Sequence, residues 1–154
     1  MAPAVTVDLF ADKMYDHVVS KRIPCPTIYM LSDEAENGDT VGLYGKSLLY
    51  LVSNAFEPAR GTPILGMEKF VTSNQSAVLR KVAALFSGKD SNRYNKLVIA
   101  DHSLTDYNKS PNISCSTSHG GFDNDEFTMN SVLHRILGVL PPPKKRFSSR
   151  DLAY

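Results

Sequence analysis

Leu97-Val98-Ile99-Ala100, with Lys96 before it and Asp101 after it, is the stretch on which the fold turns. It is a short, uninterrupted apolar run rich in β-branched residues, set between charged neighbours. That is the pattern of a strand buried on both faces. Thr27-Ile28-Tyr29-Met30-Leu31 repeats it upstream, between Pro26 and Ser32. Such strands belong to parallel sheets covered by helices.

The segments around these strands carry helical spacing. Val7, Ala11, Met14 and Val18 place one apolar stripe on a helix over residues 7–20, which Pro24-Cys25-Pro26 ends. Leu48, Leu51, Val52, Ala55 and Phe56 do the same over residues 46–57. Thr72 and Gln75 are spaced as a capping box ahead of Leu79, Val82, Ala83 and Phe86, with Gly88 as the stop. Asp123 and Glu126 open a last helix bearing Met129, Val132, Leu133, Ile136 and Leu137, closed by Gly138 and the prolines at 141–143. Two further short strands are expected at residues 40–44 and 62–67, the second confined by Pro63 to its start or to a sheet edge. Asn37-Gly38 reads as a turn in the polar stretch 32–42.

Strands alternating with helices imply βαβ units. The expected fold is α/β, with a short, mostly parallel sheet and helices on both faces as a three-layer sandwich. Residues 1–140 read as a single domain and residues 141–154 as a basic, proline-led tail. Ligands in such sheets bind off the carboxyl ends of the strands. That directs attention to the polar segments 32–39, 45–47 and 101–125.

Composition narrows the function classes. A net charge of +1 gives no reason to expect nucleic acid as a partner. No apolar run reaches the ~20 residues of a membrane helix, so no membrane partner is expected. The opening residues 1–8 lack a basic region followed by an apolar stretch, so no secretory signal is expected and a cytoplasmic location follows. The two cysteines, Cys25 and Cys115, read as free thiols. The sequons at Asn74, Asn108 and Asn112 read as chance occurrences.

The loop after Ala100 holds most of the chemistry. It carries Asp101, His102, Asp106, Cys115, Asp123, Asp125 and, at its centre, His119-Gly120-Gly121. Glycines permit a tight turn and close approach of a ligand, and a histidine there suits a general base. Ser47 follows Gly45-Lys46 where a strand would pass into a helix. That is the setting of a nucleophile elbow, although Leu49 stands where the G-x-S-x-G signature has its second glycine. A Walker A loop would need a glycine at position 40, which is Thr40, so nucleotide binding is not expected. Cys115 with His119 offers a cysteine variant in the wrong chain order for a caspase-like protease. His102, His119, Asp101, Asp123 and Asp125 match no metal-ligand spacing, and no metal or cofactor is expected.

Ser47, Asp101 and His119 fall in the chain order Ser…Asp…His, and Ser118-His119-Gly120-Gly121 precedes a closing helix. In these features the chain resembles the α/β-hydrolase superfamily, as a reduced relative or the C-terminal half of a larger fold. The resemblance implies a hydrolase acting on an ester or amide, with a small molecule or peptide as substrate. It makes Ser47 the nucleophile, His119 its base and Asp101 the group that orients the imidazole. Asp33, at the end of the upstream strand, is the alternative acid, and the better one if the chain is half of a larger fold. The competing reading is a non-catalytic α/β binding or interaction module using loop 101–125.

Overall fold

The structure is a computed structural model that describes residues 1–40, 42–103 and 110–153. Val41, Asp106 and the sequon at Asn108, all singled out above, lie outside the described residues.

The two strong apolar runs form β1 (Ile28–Met30) and β2 (Leu97–Ile99). They pair in parallel, Ile28 with Leu97, Tyr29 with Val98 and Met30 with Ile99. The fold is therefore mixed α/β. Alternation along β1 sorts its side chains into two cores. Ile28 and Met30 pack with Val7, Phe10, Leu79, Val82 and Phe86, whereas Tyr29 and Leu31 pack with Val98, Ala100 and Phe122.

Helices α1 (Val7–Lys13) and α2 (Tyr15–Val19) replace the single helix expected over 7–20. Thr6 caps α1 by accepting from the Leu9 N–H at 3.2 Å, and the chain breaks at Met14. Phe10 is buried in place of Met14, which is exposed. The acidic stretch holds a helix, α3 (Asp33–Gly38), where a turn was expected. Ser32 caps it through the Ala35 N–H, and the carboxylates of its first turn favour a helix N-terminus.

Among the described residues, 42–46 form turns and bends around a single bridge residue, Tyr44, and no named strand leads into Ser47. Ser47 is instead the N-cap of α4 (Leu48–Leu51), which loosens into a π-helical turn over Val52–Phe56. That start sets the phase of the helix. Leu49, Tyr50 and Ser53 face inward, and Leu48 and Phe56 face solvent, contrary to the expected stripe.

Residues 62–67 are not a strand beyond one antiparallel bridge between Ile64 and Thr6. Pro63 supplies no donor, and the Met67 N–H folds back onto the Ile64 carbonyl. Ile64, Leu65 and Met67 are nonetheless buried. A short α5 (Glu68–Val71) precedes α6 (Ala77–Phe86), which Ser76, not Thr72, caps. Leu79, Val82 and Phe86 line its inner face as their spacing requires.

Asp125 caps α7 (Glu126–Leu137) through the Phe127 and Thr128 N–H groups, and Gly138 ends it at φ +69°. The tail lies back on this helix. The Asn130 side chain bonds both the N–H and the carbonyl of Phe147, and Leu152 is buried. No described helix is long and apolar enough to cross a membrane.

Candidate functional site

At the carboxyl end of β1 the chain enters α3, whose residues meet α4, α5 and the turn at His119–Gly121. Here Glu36 is 0% exposed, the most buried charged side chain described. Removing a carboxylate from water is costly unless partners replace the lost hydration. Glu36 has three attachments. Its backbone carbonyl accepts the Ser47 N–H at 3.0 Å, and its Oε2 accepts the Ser47 hydroxyl. His119 Nε2 lies 3.0 Å from Oε2 and 2.9 Å from Oε1. The bond to Oε2 is the aligned one, since Oε1 has no hydrogen-bond partner.

These contacts set the roles of the atoms. A carboxylate only accepts, so the proton shared with Glu36 sits on Nε2 of His119. In the neutral ring Nδ1 is then the basic nitrogen, and it bonds no described residue. The ring is held further by its own backbone, because the His119 N–H donates to Asp39 Oδ2 at 3.0 Å. A Cβ at Gly121 would lie 2.9 Å from both Ser116 Oγ and Ser118 Oγ, so a side chain there would have to displace those hydroxyls. The His119 side chain remains 20% exposed.

The expected triad is distributed differently. Ser47 is fully buried, gives its proton to Glu36 and accepts from the Tyr50 N–H at 3.3 Å, as a helix cap does. Glu36, and not Asp101, is the acid bonded to His119. Asp101 is exposed at the end of β2, where its Oδ1 accepts from the N–H and the hydroxyl of Ser103. Those bonds hold its carboxyl below the ordinary range. Asp33 accepts the Tyr50 hydroxyl at 2.8 Å.

Tyr50 anchors a second limb of the site. Lys69 Nζ lies 3.8 Å and Lys46 Nζ 4.3 Å from the centre of its ring. Burial and the Asp33 bond push the Tyr50 phenol up to about 12. Asn37 ties the limbs together, accepting from Lys46 and donating to the Asp33 carbonyl. Asp125 is spent on capping α7 and on the Cys115 N–H. Burial, with Asp125 and Asp101 nearby, pushes the Cys115 thiol up to about 11, unlike a nucleophilic cysteine. Among the described residues no group of three or more His, Cys, Asp or Glu could hold a metal.

Sequence reasoning missed Glu36, Asp39, Tyr50 and Lys69. The usable signal was Ser32 followed by Asp33 and Glu34, a helix start that the Asn37-Gly38 pair obscured. Comparison adds no assignment: no protein-family model, curated protein or solved structure matches this chain.

Proposed function

We propose that this chain is a hydrolytic domain acting on an ester or amide, with His119 as general base and Glu36 as the residue that orients it. The observation that carries the reading is the Nε2 contact at 3.0 Å to a fully buried carboxylate, on a ring that is still partly open. A carboxylate behind an imidazole fixes the tautomer and stabilises the imidazolium formed when the other nitrogen takes a proton. Nδ1 would take that proton from water as it attacks the carbonyl carbon, and would return it to the alcohol or amine as that group's bond to the carbonyl carbon breaks. Ser47 would act by positioning Glu36 rather than as the nucleophile. The location off the carboxyl ends of parallel strands supports the same reading. It fits the resemblance to α/β-hydrolases in fold class and in His119, with the acid and nucleophile reassigned. A three-layer arrangement around the sheet is part of this proposal.

One observation favours the rival, a non-catalytic binding module using loop 101–125. Ser47, the serine of the expected triad, is buried and already bonded. Turnover of p-nitrophenyl acetate and alanine p-nitroanilide decides between them. His119→Ala should lower the rate by about 100-fold or more, the usual contribution of a general base. Fluorophosphonate should not label Ser47. Absence of any turnover that depends on His119 overturns the hydrolytic reading, and labelling lost in Ser47→Ala restores Ser47 as nucleophile.

A further inference from the structure

Hydrolysis leaves the second limb of the site, and Lys69 within it, unused. Lys69 lies on the four-residue helix α5, half-buried, with Nζ 3.8 Å from the centre of the Tyr50 ring and 4.8 Å from that of Phe70. Aromatic faces attract a cation but accept no ordinary hydrogen bond from it. Among the described residues none accepts a hydrogen bond from this ammonium or pairs with it as an ion. A second ammonium, Lys46 Nζ, sits at the same ring. The groups facing Lys69 are Asp33 and Glu36 from α3, and Lys46 and Tyr50 from the start of α4.

We propose that Lys69 is a nucleophilic amine that captures a small carbonyl compound as an imine, and that Lys46 receives a carboxylate on that compound. The class is a 2-oxo acid. Desolvation of an amine beside another cation favours its neutral, nucleophilic form. Burial and Lys46 hold the Lys69 ammonium below the ordinary range against the opposing pull of Asp33 and Glu36. Lys46 spends one donor on Asn37 Oδ1 at 2.8 Å and has two more.

The chemistry closes on groups present at the site. The Nζ lone pair adds to the carbonyl carbon, and the carbonyl oxygen takes a proton from the attacking nitrogen to give a carbinolamine. The Tyr50 phenol, still protonated at neutral pH, gives its proton to the departing hydroxyl. That hydroxyl leaves as water while the nitrogen returns a proton to the phenolate. The carbon–nitrogen double bond forms as the carbon–oxygen bond breaks. In the resting site the phenol donates that proton to Asp33 Oδ1 at 2.8 Å, and it must turn from Asp33 to deliver it.

The test is reductive trapping. The full chain is incubated at neutral pH with limiting pyruvate or acetaldehyde and cyanoborohydride, which reduces the imine to a stable secondary amine. Peptide mass mapping locates the adduct. Lys69 should be modified several-fold faster than the exposed Lys21, Lys89 and Lys144 by both reagents. Lys46→Met should reduce pyruvate trapping at Lys69 by a larger factor than acetaldehyde trapping. Tyr50→Phe keeps the ring and removes the hydroxyl, and should slow trapping by both reagents while circular dichroism stays unchanged. Modification of Lys69 no faster than the exposed lysines overturns the proposal. Equal losses for both reagents in Lys46→Met remove the 2-oxo acid from it. Because neither readout involves His119 or hydrolysis, these outcomes are independent of the hydrolytic reading.

Discussion

Replacing Glu36 separates what this carboxylate does for stability from what it does for chemistry. In Glu36→Ala the Ser47 hydroxyl and His119 Nε2 both lose their acceptor at a position where Glu36 itself is fully buried. Leaving two donors without an acceptor costs about 1–3 kcal/mol each, or about 2–6 kcal/mol together. For a chain of this size each kcal/mol shifts Tm by roughly 2–4 °C, so the melting point should fall by about 4–24 °C. Glu36→Gln keeps the volume. Its amide oxygen, at the Oε2 position, can still accept from both Ser47 and His119, and its NH₂ group takes the place of Oε1. The loss should be about 1–2 kcal/mol, since hydrogen bonds to a charged acceptor become neutral ones. The base would nevertheless be weakened, because the negative charge that stabilises the imidazolium is gone. Urea melts by circular dichroism give the stabilities, and ¹⁵N shifts of the imidazole give the tautomer. A Glu36→Ala protein within about 1 kcal/mol of wild type would refute the stability argument, since no buried polar pair would then have been broken. A wild-type ring protonated at Nδ1 instead of Nε2 would refute the assignment of the base.

Two further predictions follow from other parts of the molecule. Arg135 donates to the Pro111 carbonyl at 2.6 Å, Thr27 Oγ1 at 2.9 Å, and the Asn95 carbonyl and Asn112 Oδ1 at 2.8 Å each, between the rings of Tyr29 and Tyr94. Lysine cannot reproduce that planar fork, so Arg135→Lys should cost about 2–4 kcal/mol in a urea melt; a loss under about 0.5 kcal/mol, the range of neutral surface changes, would rule out the clamp. Cys115, with its thiol raised to about 11, holds little thiolate at pH 8, so iodoacetamide should alkylate it slowly there and faster as pH approaches 11. Rapid alkylation at pH 8, read by mass spectrometry, would show that burial and Asp125 do not protect it.

Elements that bury a continuous side-chain pattern were legible. Both strands, the inner face of α6 and the glycine stop of α7 follow from runs and spacings that a few residues decide, whereas the cap of α7 is Asp125 and not the expected Asp123. Where tertiary partners set the phase, the pattern misled. The expected stripe of α7 ends in Ile136 and Leu137, which are exposed, while Thr128 and Ser131 are buried. Those two hydroxyls bond Ser114 Oγ at 2.6 Å and the Tyr29 hydroxyl at 2.8 Å. A polar side chain with a buried partner goes inside as readily as a leucine, and no periodicity in one helix reveals that the partner exists.

The same reason explains why half of the site was visible and half was not. His119 was marked locally, by two glycines and the helix start that follows. Glu36 was marked by nothing local, because its function depends on residues 11 and 83 positions away. The elements that carry the site (α3, α4, α5 and the turn at His119) are each a turn or two long. Helices that short are marginal on propensity alone. They are held by Ser32 and Ser47 as caps, and by Glu36, Asp39 and Asp33 as acceptors from other elements. The residues proposed for chemistry therefore also hold the site together. Hence the Glu36→Gln variant, which keeps volume and hydrogen bonds while removing the charge, tests catalysis where an alanine would mostly report collapse.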